Sequence, residues 1–245
     1  RRKAVSTNNT PRESARQSEM RRGIFRWLGR ESFGVVFVAV TLFLPAGRLD
    51  WAMGWAMVAL YAAWVTAQAI LLIPKSPQLL TERATRRKEA KGWDAVLLSM
   101  IGVVTIAKHV TAGLDVRYGW KPHIAPGFQI AALLMAGTGY ALMTWAMTAN
   151  PFFSKIVRLQ RERDHTVVTS GPYRYVRHPG YAGTTLFELT SPIALGSPWA
   201  MIAGLLIIAL TVMRTVREDE TLKEELEGYE DYARDVPYRL VPGVW

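Results

Sequence analysis

The richest chemistry in this chain sits in one short run, Gly171-Pro172-Tyr173-Arg174-Tyr175-Val176-Arg177-His178-Pro179-Gly180-Tyr181. Gly171-Pro172 predicts a turn, because glycine relaxes the backbone while proline fixes its own φ. Tyr173 and Tyr175 are then expected on one side of an extended run, with Arg174 on the other. Pro179 disfavours helix at His178 and pushes it toward an extended conformation. Gly180, Ala182 and Gly183 are small, so backbone or ligand can approach closely there. The run therefore offers aromatic faces, two permanent cations, an imidazole and accessible backbone. Such a set suits a ligand carrying a π-system, a carboxylate and a sulfonium: rings stack a base or attract a cation, and arginine binds carboxylate by paired hydrogen bonds. A basic, aromatic loop beside a membrane, with no ligand at all, fits the same residues.

What must position this run is a set of apolar blocks. Half of the 245 residues are hydrophobic, yet the formal net charge is +10, and the charges lie in the gaps between blocks. The blocks run over about 33–46, 51–73, 93–114, 125–149 and 182–213. A bilayer core needs about 20 apolar residues per helix, which the second, third and fourth satisfy; the first is marginal. The last is too long for one span, and its Ser191-Pro192 and Ser197-Pro198 pairs are expected to break it into a helical hairpin. The fold class is thus all-α, a polytopic transmembrane helical bundle of five to six spans.

Charge orients the bundle. With the amino terminus inside, segments 1–32, 74–92, 150–181 and 214–245 carry 26 of the 30 lysines and arginines. That is a strong positive-inside pattern, predicting both termini on the cytoplasmic side. The basic balance thus reflects topology and attraction to anionic lipid headgroups, and no soluble basic module is left over to bind nucleic acid. No obligate protein partner is indicated. Cysteine is absent, which excludes disulfides, thiolate nucleophiles and Cys-based metal sites, and no metal is expected. The first residues show no secretory signal pattern. Residues 1–18 are expected to form a polar tail. Residues 19–30 alternate Ile24, Phe25, Trp27 and Leu28 with four arginines, as an interfacial helix would. Leu222, Leu226 and Tyr229 predict a carboxy-terminal amphipathic helix.

Ionisable groups inside a bilayer are expensive and are functional candidates by default. Glu188 falls about two turns into the helix that follows the run, where it is a candidate to orient a substrate or act as a base. A helix–helix hydrogen bond accounts for it equally well. His109, beside Lys108 and nearer the outer end of its span, is expected to have a structural or snorkelling role.

The run resembles the signature of the isoprenylcysteine carboxyl methyltransferase and phospholipid methyltransferase superfamily, GPYRYVRHPxYxG in close variants. The likeness extends through Asn150-Pro151-Phe152-Phe153-Ser154 and the 160–165 stretch, then Arg214 to Leu222, Gly228-Tyr229, Tyr232 and Tyr238 to Pro242. Two departures stand out: Asp219 replaces the second glutamate of the family's Glu-Glu pair, and Leu226-Glu227-Gly228 replaces Phe-Gly. The resemblance implies S-adenosyl-L-methionine as methyl donor, with S-adenosyl-L-homocysteine as product. It implies that His165, Gly171, Tyr173, Arg177, His178, Pro179 and Tyr181 contact the donor in a cytoplasmic loop. Arg214 and Glu218 would lie near the transferred methyl; four residues apart on a helix, they share a face. An amphiphilic or lipid-like acceptor would enter from the bilayer.

The organisation expected is a polar tail and interfacial helix over 1–30, amino-terminal transmembrane helices over 31–149, and a methyltransferase region over 150–245. Two other readings remain: an NADPH-dependent reductase like the membrane sterol reductases, which share an Arg-His-Pro segment, and a non-catalytic scaffold or transporter.

Overall fold

A computed structural model describes residues 11–84, 91–120 and 122–245, and within them the chain is helical with no strand. Helix α1 spans Pro11–Ala46, α2 Ala52–Lys75, α3 Pro77–Ala84, α4 Gly92–Tyr118 and α5 Pro126–Ala149. A connecting stretch with two 3-10 turns leads to α6 (Pro179–Ala194), α7 (Ala200–Glu225) and α8 (Tyr229–Asp235). Five helices, α1, α2, α4, α5 and α7, are long and apolar enough to cross a membrane. Only 22–39% of the most apolar stretch of each is buried. That much apolar surface left outward is tolerated only where lipid covers it, so the chain is an integral, multi-pass membrane protein.

Three details differ from the sequence expectations. The interfacial stretch 19–30 has no break before the first span; both belong to the continuous α1, whose length exceeds a bilayer at about 1.5 Å per residue. Residues 1–10 of the expected polar tail lie outside the described residues, and its residues 11–18 are helical, as the start of α1. The hairpin forms, but Pro192 sits inside α6, and the chain breaks only at Gly196 (φ +77) and Ser197-Pro198. There Ser197 Oγ accepts the Ala200 N–H at 3.2 Å, which starts α7. With 16 residues, α6 is the shortest arm and falls below spanning length. The expected amphipathic helix is interrupted at Gly228 (φ +79), so α7 ends at Glu225 and α8 begins at Tyr229.

Small residues set the helix crossings that hold the site. Gly139 of α5 and Gly183 of α6 meet backbone to backbone. A Cβ on Gly139 would come within 2.7 Å of the Gly183 carbonyl, and one on Gly183 within 2.5 Å of the Gly139 carbonyl. In lipid, such close packing is a principal source of helix association. Pro192 cannot donate to the carbonyl of Glu188, and Gly204 of α7 packs there, where its Cβ would be 2.7 Å from that oxygen. Aromatic stacking adds a transverse tie: Trp64 of α2 on Tyr140 of α5 on Phe187 of α6, each pair with centroids 4.3 Å apart. These contacts fix the amino-terminal end of α6, which begins inside the signature run.

Candidate active site

At the end of the bundle where α4 and α6 begin and α5 and α7 finish, loop 150–178 and α8 enclose a cavity of about 380 Å³. Its walls come from loop residues 150–159, His165 to Val168, the signature run, the end of α7 and α8. Leu98 of α4 and Met143 of α5 reach it from the membrane-spanning helices.

The signature run takes its shape from local chemistry. Gly171 adopts φ +61, and a Cβ there would meet Ala149 at 2.9 Å, so the turn requires glycine. The run then closes as a 3-10 turn over Gly171–Arg174 instead of extending. Tyr173 is consequently buried while Tyr175 points out, 57% exposed, so the two tyrosines do not share a side. His178 stays non-helical (φ −125), and Pro179 supplies the first residue of α6, where its missing N–H costs nothing. The carboxy-terminal tail clamps the run from outside: the Arg177 N–H donates to the Tyr238 carbonyl at 3.0 Å and the His178 N–H to that of Arg239 at 2.9 Å.

Asp219 is the centre of the site's electrostatics. Its carboxylate is fully buried and accepts from Arg177 Nε at 2.7 Å and Nη2 at 3.0 Å, Tyr229 Oη at 3.0 Å and Arg239 Nε at 3.1 Å. His178 Nε2 lies 3.2 Å from the same oxygen as Arg177 Nε. Arg177 also donates through Nη1 to the Val236 carbonyl at 2.7 Å. Each nitrogen of this guanidinium is thus engaged within the protein. Arg177, expected from the sequence to contact the donor, lines the cavity and also ties loop, α7 and tail together.

Arg214 and Glu218 both line the cavity, but they do not pair with one another. Arg214 Nε donates to Asp94 Oδ1 at 2.6 Å, and its Nη2 donates to the Lys155 carbonyl at 2.8 Å. Asp94, wholly buried at the start of α4, also accepts the Val157 N–H at 2.8 Å. Glu218 instead accepts the hydroxyl of Tyr181, whose ring lies under the Arg214 guanidinium at 5.3 Å. Burial, more than the neighbouring Arg163 and Arg158 cations, holds His165 down to about 4, so it is neutral near pH 7. Its ring packs on Phe152 with centroids 4.4 Å apart.

Of the residues expected to bind the donor, His165, Tyr173, Arg177, His178 and Tyr181 line the cavity, whereas Gly171 and Pro179 shape the chain beside it. Glu188 is not brought to the cavity. It faces Lys108 of α4 at 2.5 Å, and Lys108 also donates to Ser191 at 3.1 Å. Lys108 is completely buried and lies over the Phe187 ring, so it forms an internal pair and does not snorkel. Sequence reasoning missed Asp94, Lys155, Glu82 and Arg83. Asp94 is separated from Arg214 by 120 positions, and the only available signal was a lone acid at the head of a span.

The signature run, Arg214, Glu218 and Asp219 lie within a match to a known family. Residues 131–224 match the isoprenylcysteine carboxyl methyltransferase (ICMT) family. Protein-S-isoprenylcysteine O-methyltransferase of Rattus norvegicus is 38% identical over 118 residues, 45% of this chain and 40% of the rat protein. A probable protein-S-isoprenylcysteine O-methyltransferase of Oryza sativa subsp. indica is 25% identical over 190 residues, 74% of this chain and 96% of the rice protein. The matched part of the chain thus spans less than half of the rat relative. A solved structure of the eukaryotic intramembrane Ras methyltransferase ICMT shares the fold: TM-score 0.50, 20% identity, covering 86% of this chain and 73% of that one.

Proposed function

We propose, from its place in an isoprenylcysteine carboxyl methyltransferase-like membrane family, that this chain transfers a methyl group from S-adenosyl-L-methionine to the carboxylate of a prenylated cysteine or a similar amphiphile. The observation that carries the reading is one cavity in which the signature run, Arg214 and Glu218 converge, with Leu98 and Met143 joining it to the membrane-spanning helices.

The cavity suits the donor. Its volume falls within the range of about 300–1,000 Å³ usual for small-molecule pockets. The Phe152 and Tyr173 rings offer faces to a base, the neutral His165 offers a hydrogen-bonding edge, and Glu218 supplies a negative charge for a sulfonium. A bound sulfonium supplies an electrophilic methyl group, and an acceptor carboxylate is already a nucleophile that needs no base. The protein's tasks are therefore alignment and exclusion of water. Asp219 holds the loop, α7 and the tail in one arrangement around the cavity. Asp94 fixes Arg214, and Tyr181 fixes Glu218, so both charged groups are oriented before any ligand arrives. Leu98 and Met143 offer an apolar path for a lipid-like acceptor. The positive-inside pattern supports a cytoplasmic location for this end, with region 150–245 as the methyltransferase part and 1–149 as its membrane scaffold.

A thermal-shift measurement on detergent-solubilised protein tests the donor. S-adenosyl-L-homocysteine is expected to raise the melting temperature and NADPH to leave it unchanged. Stabilisation by NADPH alone would favour the reductase reading, and no response to either would favour a scaffold.

A further inference from the structure

Among the described residues, Arg83, on α3, is the cavity-lining cation whose charge is least answered. It is nine-tenths buried, yet among those residues its Nε has no hydrogen-bond partner, and Nη1 donates only a long bond, 3.3 Å, to the Phe153 carbonyl. Its guanidinium lies over the Phe153 ring at 5.5 Å, and that ring packs against Gly180 of the signature run. Both nearby carboxylates are engaged elsewhere. Glu31 accepts from Arg30 at 2.6 Å, Tyr61 at 3.2 Å and Lys155 at 3.3 Å. Glu82 accepts from Arg158 at 3.0 and 3.1 Å and from Ser154 at 3.2 Å. Arg83 is next in the chain to Glu82 and close enough to Glu31 to feel it, but bonds to neither.

The balance around it is positive. Arg30, Arg83, Lys155 and Arg158 face Glu31, Glu82 and the half-exposed Glu162 among the described residues. Burial chiefly pushes Arg83 down to about 10 and Lys155 down to about 8, the Arg83 charge adding to the effect on Lys155. A buried cation is normally paired, because leaving its charge unanswered is costly. Arg83 and Lys155 both line the cavity. Arg214, expected near the transferred methyl, fastens to the Lys155 carbonyl at 2.8 Å. The under-compensated group therefore adjoins Arg214 through Lys155.

We propose that Arg83, with Lys155 beside it, binds the carboxylate of the methyl acceptor and so selects an anionic acceptor over a neutral or amine-bearing one. The proposal rests on the methyltransferase reading above. Arg83 would act by fixing an acid whose oxygen then attacks, so it is a specificity residue and takes no part in proton transfer. The methionine carboxylate of the donor is the other anion that could satisfy it, and the two are separable.

The test uses the full-length protein saturated with S-adenosyl-L-homocysteine, titrated with an N-acylated S-prenylcysteine and with its carboxamide. Wild type is expected to bind the acid at least about tenfold more tightly, as a charge-assisted bond lost to a neutral amide implies. Arg83→Gln should bring the acid to the level of the carboxamide, raise KM for the acceptor more than it lowers kcat, and leave affinity for S-adenosyl-L-homocysteine unchanged. Arg83→Lys should restore part of the preference, which a purely structural role would not. An acid preference that survives in Arg83→Gln would overturn the proposal. So would a loss of S-adenosyl-L-homocysteine binding with acceptor preference intact, which would place the donor's carboxylate at Arg83. Failure of the methyltransferase reading would look different, as wild type binding S-adenosyl-L-homocysteine not at all, and the proposal would fall with it.

Discussion

Arg177 and Asp219 form a two-point ion pair, Nε to Oδ1 at 2.7 Å and Nη2 to Oδ2 at 3.0 Å, and this contact closes the signature loop onto α7. Both residues belong to motifs of the resemblance. Arg177 is satisfied by protein groups, and Asp219, at the position where the sequence departs from Glu-Glu, is the acceptor on which the site is built. The shorter aspartate suits a carboxylate approached from several sides at once, by Arg177, Arg239, Tyr229 and His178.

Asp219→Asn should therefore unsettle the whole loop. Removing one partner of a buried ion pair costs about 3–5 kcal/mol, and here two arginines lose their anion together. We expect a lower melting temperature and a large loss of S-adenosyl-L-homocysteine affinity, both read in one titrated thermal-shift series. A variant with unchanged melting temperature would show that the tail and α8 hold the loop unaided.

Asp94 and Arg214 should behave as one unit. Asp94→Asn removes the negative charge facing Arg214 and leaves one acceptor oxygen where Arg214 and the Val157 N–H now use two. In a double-mutant cycle of Asp94→Asn and Arg214→Met, stability should show a coupling of at least about 1 kcal/mol. Strict additivity would mean that the pair contributes nothing.

The α4–α6 pair is predicted to serve stability alone. Glu188→Gln strands the fully buried Lys108 and should lower the melting temperature by roughly 6 °C or more. Turnover per folded molecule should stay at the wild-type level, and the double variant Lys108→Met/Glu188→Leu should recover much of the stability. Loss of turnover in a folded Glu188→Gln protein would return Glu188 to the reaction.

His165 gives the site a pH dependence of defined sign. Its folded value is near 4 and its ordinary value 6.5, so the unfolded chain takes up the proton first as pH falls. The stability His165 contributes is present above about 6.5 and is lost between there and about 4. His165→Asn should flatten this part of a melting-temperature profile; an unchanged profile would mean that His165 is charged or exposed in the folded protein.

These cases also mark what the sequence made legible. The apolar blocks were enough to locate the five long helices, because lipid imposes a minimum length on each. The signature run, being contiguous, carried most of one cavity wall within itself. The pairing of its charges was not legible, since i,i+4 spacing puts Arg214 and Glu218 on one face without choosing their partners. Asp94 and Tyr181 took those partners from other helices. The partner of Glu188 was hidden for the same reason: depth in the membrane was readable, but the facing lysine, 80 positions away, was not.

Methyl transfer by groups converging on one cavity would be seen as passage of label from methyl-labelled S-adenosyl-L-methionine to an N-acylated S-prenylcysteine in the presence of the purified protein. We expect a base-labile methyl ester formed by wild type and lost, by about a hundredfold or more as for a removed electrostatic catalytic group, in a folded Glu218→Gln variant that still binds S-adenosyl-L-homocysteine. Absence of any labelled ester from wild type, or near-normal ester formation by Glu218→Gln, would contradict it.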